Sequence, residues 1–326
     1  MQNENSDNIV YSGSILLKNR YEWKYENNYE WKYENNNEFF MNIHSLGLIT
    51  GLLISSIVQA DGAPANLRPT GDTAVWRQNL SDQAWEENIR KQNFQDREII
   101  EGVEQTILEL KAPILAEDAS FVPISVHTKI PQTDDLYIKK IHIFVDKNPI
   151  PLVGTFEFTP DSGKADLAMR IRVDAHNYVR AIAELNTGEL YMTKSFIKAK
   201  GACSAPPPPG SEESKKLLGK MRMKVVGDLV LGKPNLMQLK IRHPNITGMA
   251  PLKIGSRVRP PAFFVDSIEI NYNGKLIVKA SLTFSVSMDP ALRFYFVPEK
   301  EGTMLVKGTD TKKNEFSDTY KVSLDS

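Results

Sequence analysis

From Val122 onward the chain keeps one rhythm, and that rhythm limits the folds open to it. Short apolar runs alternate with a period of two and are broken by Gly, Pro, Asn and Asp every eight to twelve residues. Val122, Ile124 and Val126 alternate with Pro123, Ser125 and His127. A second run, 138–145, ends at the turn-rich Asp146-Lys147-Asn148-Pro149-Ile150-Pro151. Strands are expected near 152–159, 166–174, 177–185 and 189–199, the last two joined by a hairpin at Asn186-Thr187-Gly188. About six strands with regular turns predict an antiparallel β-sandwich of immunoglobulin type. The pattern resumes near 221–230, 236–242, 264–271, 275–286, 291–297, 303–308 and 317–324. Tyr272-Asn273-Gly274-Lys275 is the strongest turn, because Asn-Gly suits the positive φ angles of type I′. A second, smaller sandwich follows. The fold class expected is mainly β, with two immunoglobulin-like antiparallel β-sandwich domains.

Before the first strands the period changes. Trp76, Leu80, Trp85, Ile89 and Phe94 recur at four- to five-residue spacing, so short helices are expected between Ala74 and about Leu110, at the start of the first domain. The first forty residues differ again. Tyr21-Glu22-Trp23-Lys24-Tyr25-Glu26-Asn27-Asn28 is repeated unchanged at 29–36. Polar, Asn-rich, low-complexity sequence cannot bury a core, so 1–40 reads as disordered or as a mis-assigned upstream extension. Met41 opens a new pattern: residues 46–58 carry no charge, and Val58-Gln59-Ala60 places small or apolar residues where signal peptidase cuts. Residues 41–60 read as a secretory signal peptide, although without Lys or Arg in the n-region. The competing reading is an N-terminal membrane anchor, against which the run is short. The organisation expected is therefore 1–40 extension, 41–60 signal peptide, 74–200 first sandwich, 201–216 arm and linker, and 217–326 second sandwich, with the folded part exported.

Lysine plus arginine balance aspartate plus glutamate at 40 each, so composition points to no nucleic acid or acidic partner. The chain holds one cysteine, Cys203, which excludes an intrachain disulfide and any multi-cysteine metal or iron–sulfur site. His127, His142, His176 and His243 show no ligand spacing, so no metal site and no cofactor is expected. No Gly-rich phosphate loop follows a strand, and no GxSxG elbow is present. The adjacent pairs Asp134/Asp135 and Glu86/Glu87 read as solvated faces.

Cys203 lies in Lys200-Gly201-Ala202-Cys203-Ser204-Ala205, ahead of Pro206-Pro207-Pro208-Pro209-Gly210. One reading is a buried structural thiol, the usual fate of a free cysteine. The other is an exposed thiol on a mobile arm, with flexibility from Gly201, Ala202 and Ser204 and a stiff proline segment beyond. The local context favours the second. Lys198 and Lys200 could then depress the thiol pKa, or be ordinary surface charge. One presented thiol and no visible catalytic machinery describe a carrier better than an enzyme.

The ordered motifs Leu110-Lys111-Ala112-Pro113, Ala116-Glu117-Asp118-Ala119-Ser120-Phe121-Val122-Pro123, Val145-Asp146-Lys147-Asn148-Pro149-Ile150-Pro151 and Gly201-Ala202-Cys203 resemble SoxY. Ile241-Arg242-His243-Pro244, Thr247-Gly248, Pro261-Ala262-Phe263-Phe264 and Ser287-Met288-Asp289-Pro290 resemble SoxZ. The whole resembles SoxYZ sulfur-carrier proteins, most narrowly the quinoprotein dehydrogenase-associated SoxYZ-like carriers. The resemblance implies periplasmic covalent carriage on Cys203, two halves packing on each other, and redox-enzyme partners, a quinoprotein dehydrogenase or a c-type cytochrome among them. Two departures stand out: Gly201-Ala202-Cys203-Ser204-Ala205 has fewer glycines than the family's GGCGG-like ending, and the cysteine is tethered on both sides. Alternatives are a non-catalytic adaptor docking such a dehydrogenase or cytochrome, and a dimer linked through Cys203.

Overall fold

The computed structural model describes residues 22–25, 31–34, 73–102, 107–203, 216–251 and 258–324. It divides the chain into two units, 1–63 and 64–326. In the first, each copy of the octad supplies one strand of an antiparallel pair, β1 (Glu22–Tyr25) and β2 (Trp31–Glu34), with Trp23 opposite Tyr33 and Tyr25 opposite Trp31. The 41–60 signal-peptide reading lies outside the described residues.

The second unit opens with a helical stretch: α1 (Thr73–Ala84), a π-helical turn (Trp85–Ile89) and α2 (Arg90–Phe94). Arg90 N–H donates to the Trp85 carbonyl five residues back. That wider turn keeps Trp85, Ile89 and Phe94 on one buried face despite a five-residue step in the sequence. Helix stops at Phe94, short of the expected Leu110, where Gln95 turns to φ 53°. The following apolar residues serve strands instead, as β3 (Ile99–Glu101) and β4 (Leu108–Lys111). Ile99 and Ile100 fit an edge beside the strand at 190–197, and β-branched residues favour that pleated, half-buried setting.

A buried polar cluster docks the helical stretch. Arg180 and Asp146, both essentially inaccessible, pair through Nη2 and Oδ2 at 2.9 Å. Ser81 Oγ donates to Asp146 Oδ2 at 2.8 Å and accepts the Tyr178 N–H at 2.9 Å. Arg180 also reaches Asp82 and lies over the Trp85 ring, 4.8 Å from its centroid. Every charge here has a partner, the condition for keeping an ion pair in a core.

The fold is mainly β, in two open sheets consistent with immunoglobulin-like sandwich architecture. One has nine strands, in the order β17 (Glu315–Val322), β16 (Gly302–Asp310), β13 (Val265–Tyr272), β14 (Lys275–Leu282), β7 (Leu152–Phe158), β6 (Ile138–Val145), β9 (Asn177–Leu185), β10 (Leu190–Ile197), β3. The other has six: β11 (Met221–Val226), β12 (Asn235–Ile241), β15 (Ala291–Phe296), β8 (Leu167–Ile171), β5 (Val122–Thr128), β4. Pairing is antiparallel except for β3 on β10. The expected type I′ turn joins β13 to β14, with Asn273 at φ 48° and Gly274 at φ 83°.

Both sheets run through both halves of the chain. β7 pairs with β14 from Gly154–Leu282 to Phe158–Val278, and β8 pairs with β15. One apolar cluster spans the two, with Phe156, Met169 and Val153 from the first half and Leu282, Phe294 and Ile268 from the second. Apolar burial stabilises by about 25 cal/mol per Å², so this shared cluster ties the two halves together beyond their covalent link.

Candidate functional site

The path from β10 to Cys203 is built residue by residue. Lys198 exchanges main-chain hydrogen bonds with Ile114 and Ala116, each 2.9 Å. His176 Nδ1–H donates to the Ala199 carbonyl at 2.7 Å. The chain then turns at Gly201, φ 75°, whose N–H donates to the Asp174 carbonyl at 2.6 Å. A side chain at that backbone angle would be strained. Ala202 and Cys203 follow, and both are buried.

Two side chains hold the Cys203 main chain, one from each half. Its N–H donates to Asp174 Oδ1 at 3.0 Å, and its carbonyl accepts from Thr247 Oγ1 at 2.8 Å. Thr247 Oγ1 also accepts the Met249 N–H at 3.2 Å. Between them Gly248 has φ 78°, and a Cβ there would stand 2.9 Å from the Ala262 nitrogen. So Thr247-Gly248 are the residue types this bend requires. The thiol packs among Ile150, Phe284, Met249 and Phe264.

Asn148 organises the polar side. Its Oδ1 accepts the Asp174 N–H at 2.9 Å, while Nδ2 donates to the Arg172 carbonyl and to Ser285 Oγ. Arg172 is 8% exposed. Its Nη1 crosses to the second half and donates to the Phe284 carbonyl at 2.9 Å and to the Val286 carbonyl.

Burial first, then the Asp174 carboxylate, push the Cys203 thiol up to about 12, and Arg172 works against them. An exposed thiol with a depressed pKa was expected, and the structure differs on both counts. Cys203 has no accessible surface. The cation that opposes its rise is Arg172, while Lys198 and Lys200 point to solvent. The small neighbours suggested exposure, but they let the main chain press close against the second half. Of the expected arm residues, Gly201 is hydrogen-bonded, Ala202 is buried and Ser204 lies outside the described residues.

The other flagged residues are scattered. His127 contacts Asp166 and Ser125, His142 contacts Thr155, and His243 sits between Asp310 and the Asn245 N–H. Glu86 pairs with Arg90 and Glu87 with Gln83. Among the described residues, no group of three or more His, Cys, Asp or Glu could hold a metal ion. Asp174 and Arg172 carried no sequence signal, and Thr247 stood out only within the SoxZ-like motifs, since each comes to Cys203 only through the fold.

The fold and this pocket define a class: a two-part β-sandwich chain with one thiol closed in where its halves meet. The family model for sulfur oxidation protein SoxY matches residues 90–203 and ends on Cys203, and that for sulphur oxidation protein SoxZ matches 223–321. The chain is a SoxYZ-like fusion, a SoxY domain followed by a SoxZ domain. No curated protein matches it in sequence. Among solved structures, the sulfur carrier protein SoxY from Chlorobium limicola f. thiosulfatophilum is 25% identical over 38% of this chain and 99% of that chain, with a TM-score of 0.31. A superoxide reductase (neelaredoxin) from Ignicoccus hospitalis is 18% identical over 36% of this chain and 90% of that one, at 0.26. The fibronectin(III)-like modules of Clostridium thermocellum CbhA are 10% identical over 66% and 92%, at 0.21.

Proposed function

We propose that this chain is a covalent sulfur carrier, with Cys203 as the attachment point and no catalytic chemistry of its own. The observation that carries the reading is that the SoxY match closes on the chain's one cysteine, which both halves join in holding. Sulfur–sulfur bonds form and exchange at a thiolate, so the carrier needs no further acid or base. A thiol held up to about 12 is almost wholly protonated at neutral pH. Loading therefore takes place with the arm lifted from its pocket. The signal-peptide reading of 41–60 puts this work in the periplasm. Among the described residues no helix is long and apolar enough to cross a membrane. Partners are redox enzymes that load and unload the thiol, a quinoprotein dehydrogenase or a c-type cytochrome among them.

Complete burial of Cys203 favours a second reading, an adaptor whose thiol is inert. Intact-mass spectrometry of the protein from its native periplasm, before and after reductant, separates the two. A reductant-labile adduct on Cys203, absent from a folded Cys203→Ser variant, is expected. An unmodified thiol that also resists alkylation would overturn carriage in favour of the adaptor.

A further inference from the structure

Holding the main chain at 284–286 explains the hydrogen bonds of Arg172 but not its charge. Arg172 is a guanidinium 8% exposed, tied at 2.9 Å to the carbonyl of Phe284, whose side chain packs with the Cys203 thiol. Its Nη1 hydrogen bonds end on two main-chain carbonyls. Among the described residues, no carboxylate forms an ion pair with it. Its main chain is fixed as well: its N–H donates to the Ser285 carbonyl at 2.7 Å and its own carbonyl accepts from Asn148. Buried charges are ordinarily paired, because leaving water without a partner is costly for an ion. The ionisable groups whose charges act on this one are Cys203 and the exposed Asp118, while Asp174 acts on the thiol and takes its main-chain N–H at 3.0 Å.

We propose that Arg172 is the counter-charge for an anionic sulfur group on Cys203, so that the closed pocket holds anionic adducts in preference to neutral ones. The site takes a thiolate, a terminal persulfide or a thiosulfonate: in each the negative charge lies on, or a few bonds from, Sγ. This deepens the carrier reading and rests on it. Arg172 is a positioning residue, since it bonds no sulfur itself. It selects which cargo stays sheltered between enzymes.

Two adducts of opposite character test this. Tetrathionate reacts with the Cys203 thiolate to form Cys203–S–S–SO3⁻ and release thiosulfate. Methyl methanethiosulfonate forms the neutral Cys203–S–S–CH3 and releases methanesulfinate. Each adduct is then released by dithiothreitol, which is oxidised to its cyclic disulfide, and the rate is normalised to the same adduct on glutathione. One compensated charge in a partly shielded pocket should slow release of the anionic adduct by about tenfold relative to the neutral one. Arg172→Gln should bring the ratio to one, and Arg172→Lys should keep part of it. A native protein with no preference, or an Arg172→Gln protein that retains it, overturns the proposal. Should Arg172→Gln fail to fold, Lys198→Gln/Lys200→Gln decides: a persisting preference supports Arg172, and a lost one assigns it to the surface lysines and overturns the proposal. Failure of carriage itself reads out separately, as protein without cargo in its native periplasm, and leaves the release ratio standing.

Discussion

Thr247→Val isolates the contact that keeps the thiol covered. Valine matches threonine in shape but cannot donate to the Cys203 carbonyl or accept the Met249 N–H, bonds of 2.8 and 3.2 Å. The two losses act differently. The Met249 bond is local to 247–249 and is missing whether the arm is docked or lifted, so it lowers global stability only. The Cys203 bond exists only when the arm is docked, so its loss shifts the docking equilibrium. A buried carbonyl left without its donor costs about 1–2 kcal/mol. Converted at 1.4 kcal/mol per factor of ten, that is roughly a 5- to 30-fold rise in the lifted population. Iodoacetamide alkylation at fixed pH, followed by intact mass and normalised to the guanidinium-unfolded protein, reads that population. Thr247→Val should react about 5- to 30-fold faster than the native chain, and Thr247→Ser, which keeps the hydroxyl, should react at the native rate. The guanidinium midpoint separates arm opening from unfolding. An unchanged alkylation rate, or a rise no larger than the fall in global stability allows, would refute the reasoning.

Asp174→Asn keeps an oxygen for the Cys203 N–H and removes the carboxylate charge. The carboxylate takes the Cys203 N–H at 3.0 Å and is, after burial, a cause of the raised pKa, so the thiol should titrate lower in the variant, read from the pH dependence of alkylation. In the native chain the folded thiol titrates near 12 against an ordinary 9.0. Its contribution to stability is therefore whole below pH 9 and falls as pH rises toward 12, a loss that Cys203→Ser should abolish in urea titrations. His243 behaves in the opposite sense. Burial holds its pKa below the ordinary 6.5 despite Asp310, so its contribution to stability is whole above 6.5 and is lost as pH falls below that toward the lowered folded value; His243→Gln should flatten that acid limb. Gly154→Ala tests the seam, because its Cβ would stand 2.9 Å from both the Ser281 carbonyl oxygen and Leu282 Cδ2. The backbone oxygen cannot yield cheaply, so about 1–3 kcal/mol should be lost in urea unfolding.

The strands were legible because each declares itself locally. A period of two places β5, β6, β9 and β10 within a residue or two, and Asn273-Gly274 names its own turn. Pairing across the halves was not legible. β7 and β14 lie more than a hundred residues apart, and both bury residues on each face, so neither run says which strand is its neighbour. The same limit hid the site. Around Cys203 the local composition is small and polar, while the groups that bury it, Ile150, Phe264 and Phe284, come from three remote segments. Arg172 alternates with Arg170 across Ile171, the ordinary look of a strand's wet face, and only the fold turns it inward.

The pocket reconciles two demands that the proposed carriage makes on one thiol. Between enzymes it must be silent, and at an enzyme it must attack. A thiol at about 12 has a thiolate fraction on the order of 10⁻⁵ at pH 7, about a thousandfold below that of one at 9.0. Lifting the arm removes burial and the Asp174 charge together, the two causes of that suppression. Reactivity is thus coupled to position and needs no activating base. Both halves contribute to the coupling, since Asp174 and Ile150 come from the SoxY domain while Thr247, Phe264 and Phe284 come from the SoxZ domain. A SoxY domain without its partner would keep Cys203 but lose the cover that silences it. Sheets continuous through both halves hold that cover in place against the SoxY domain.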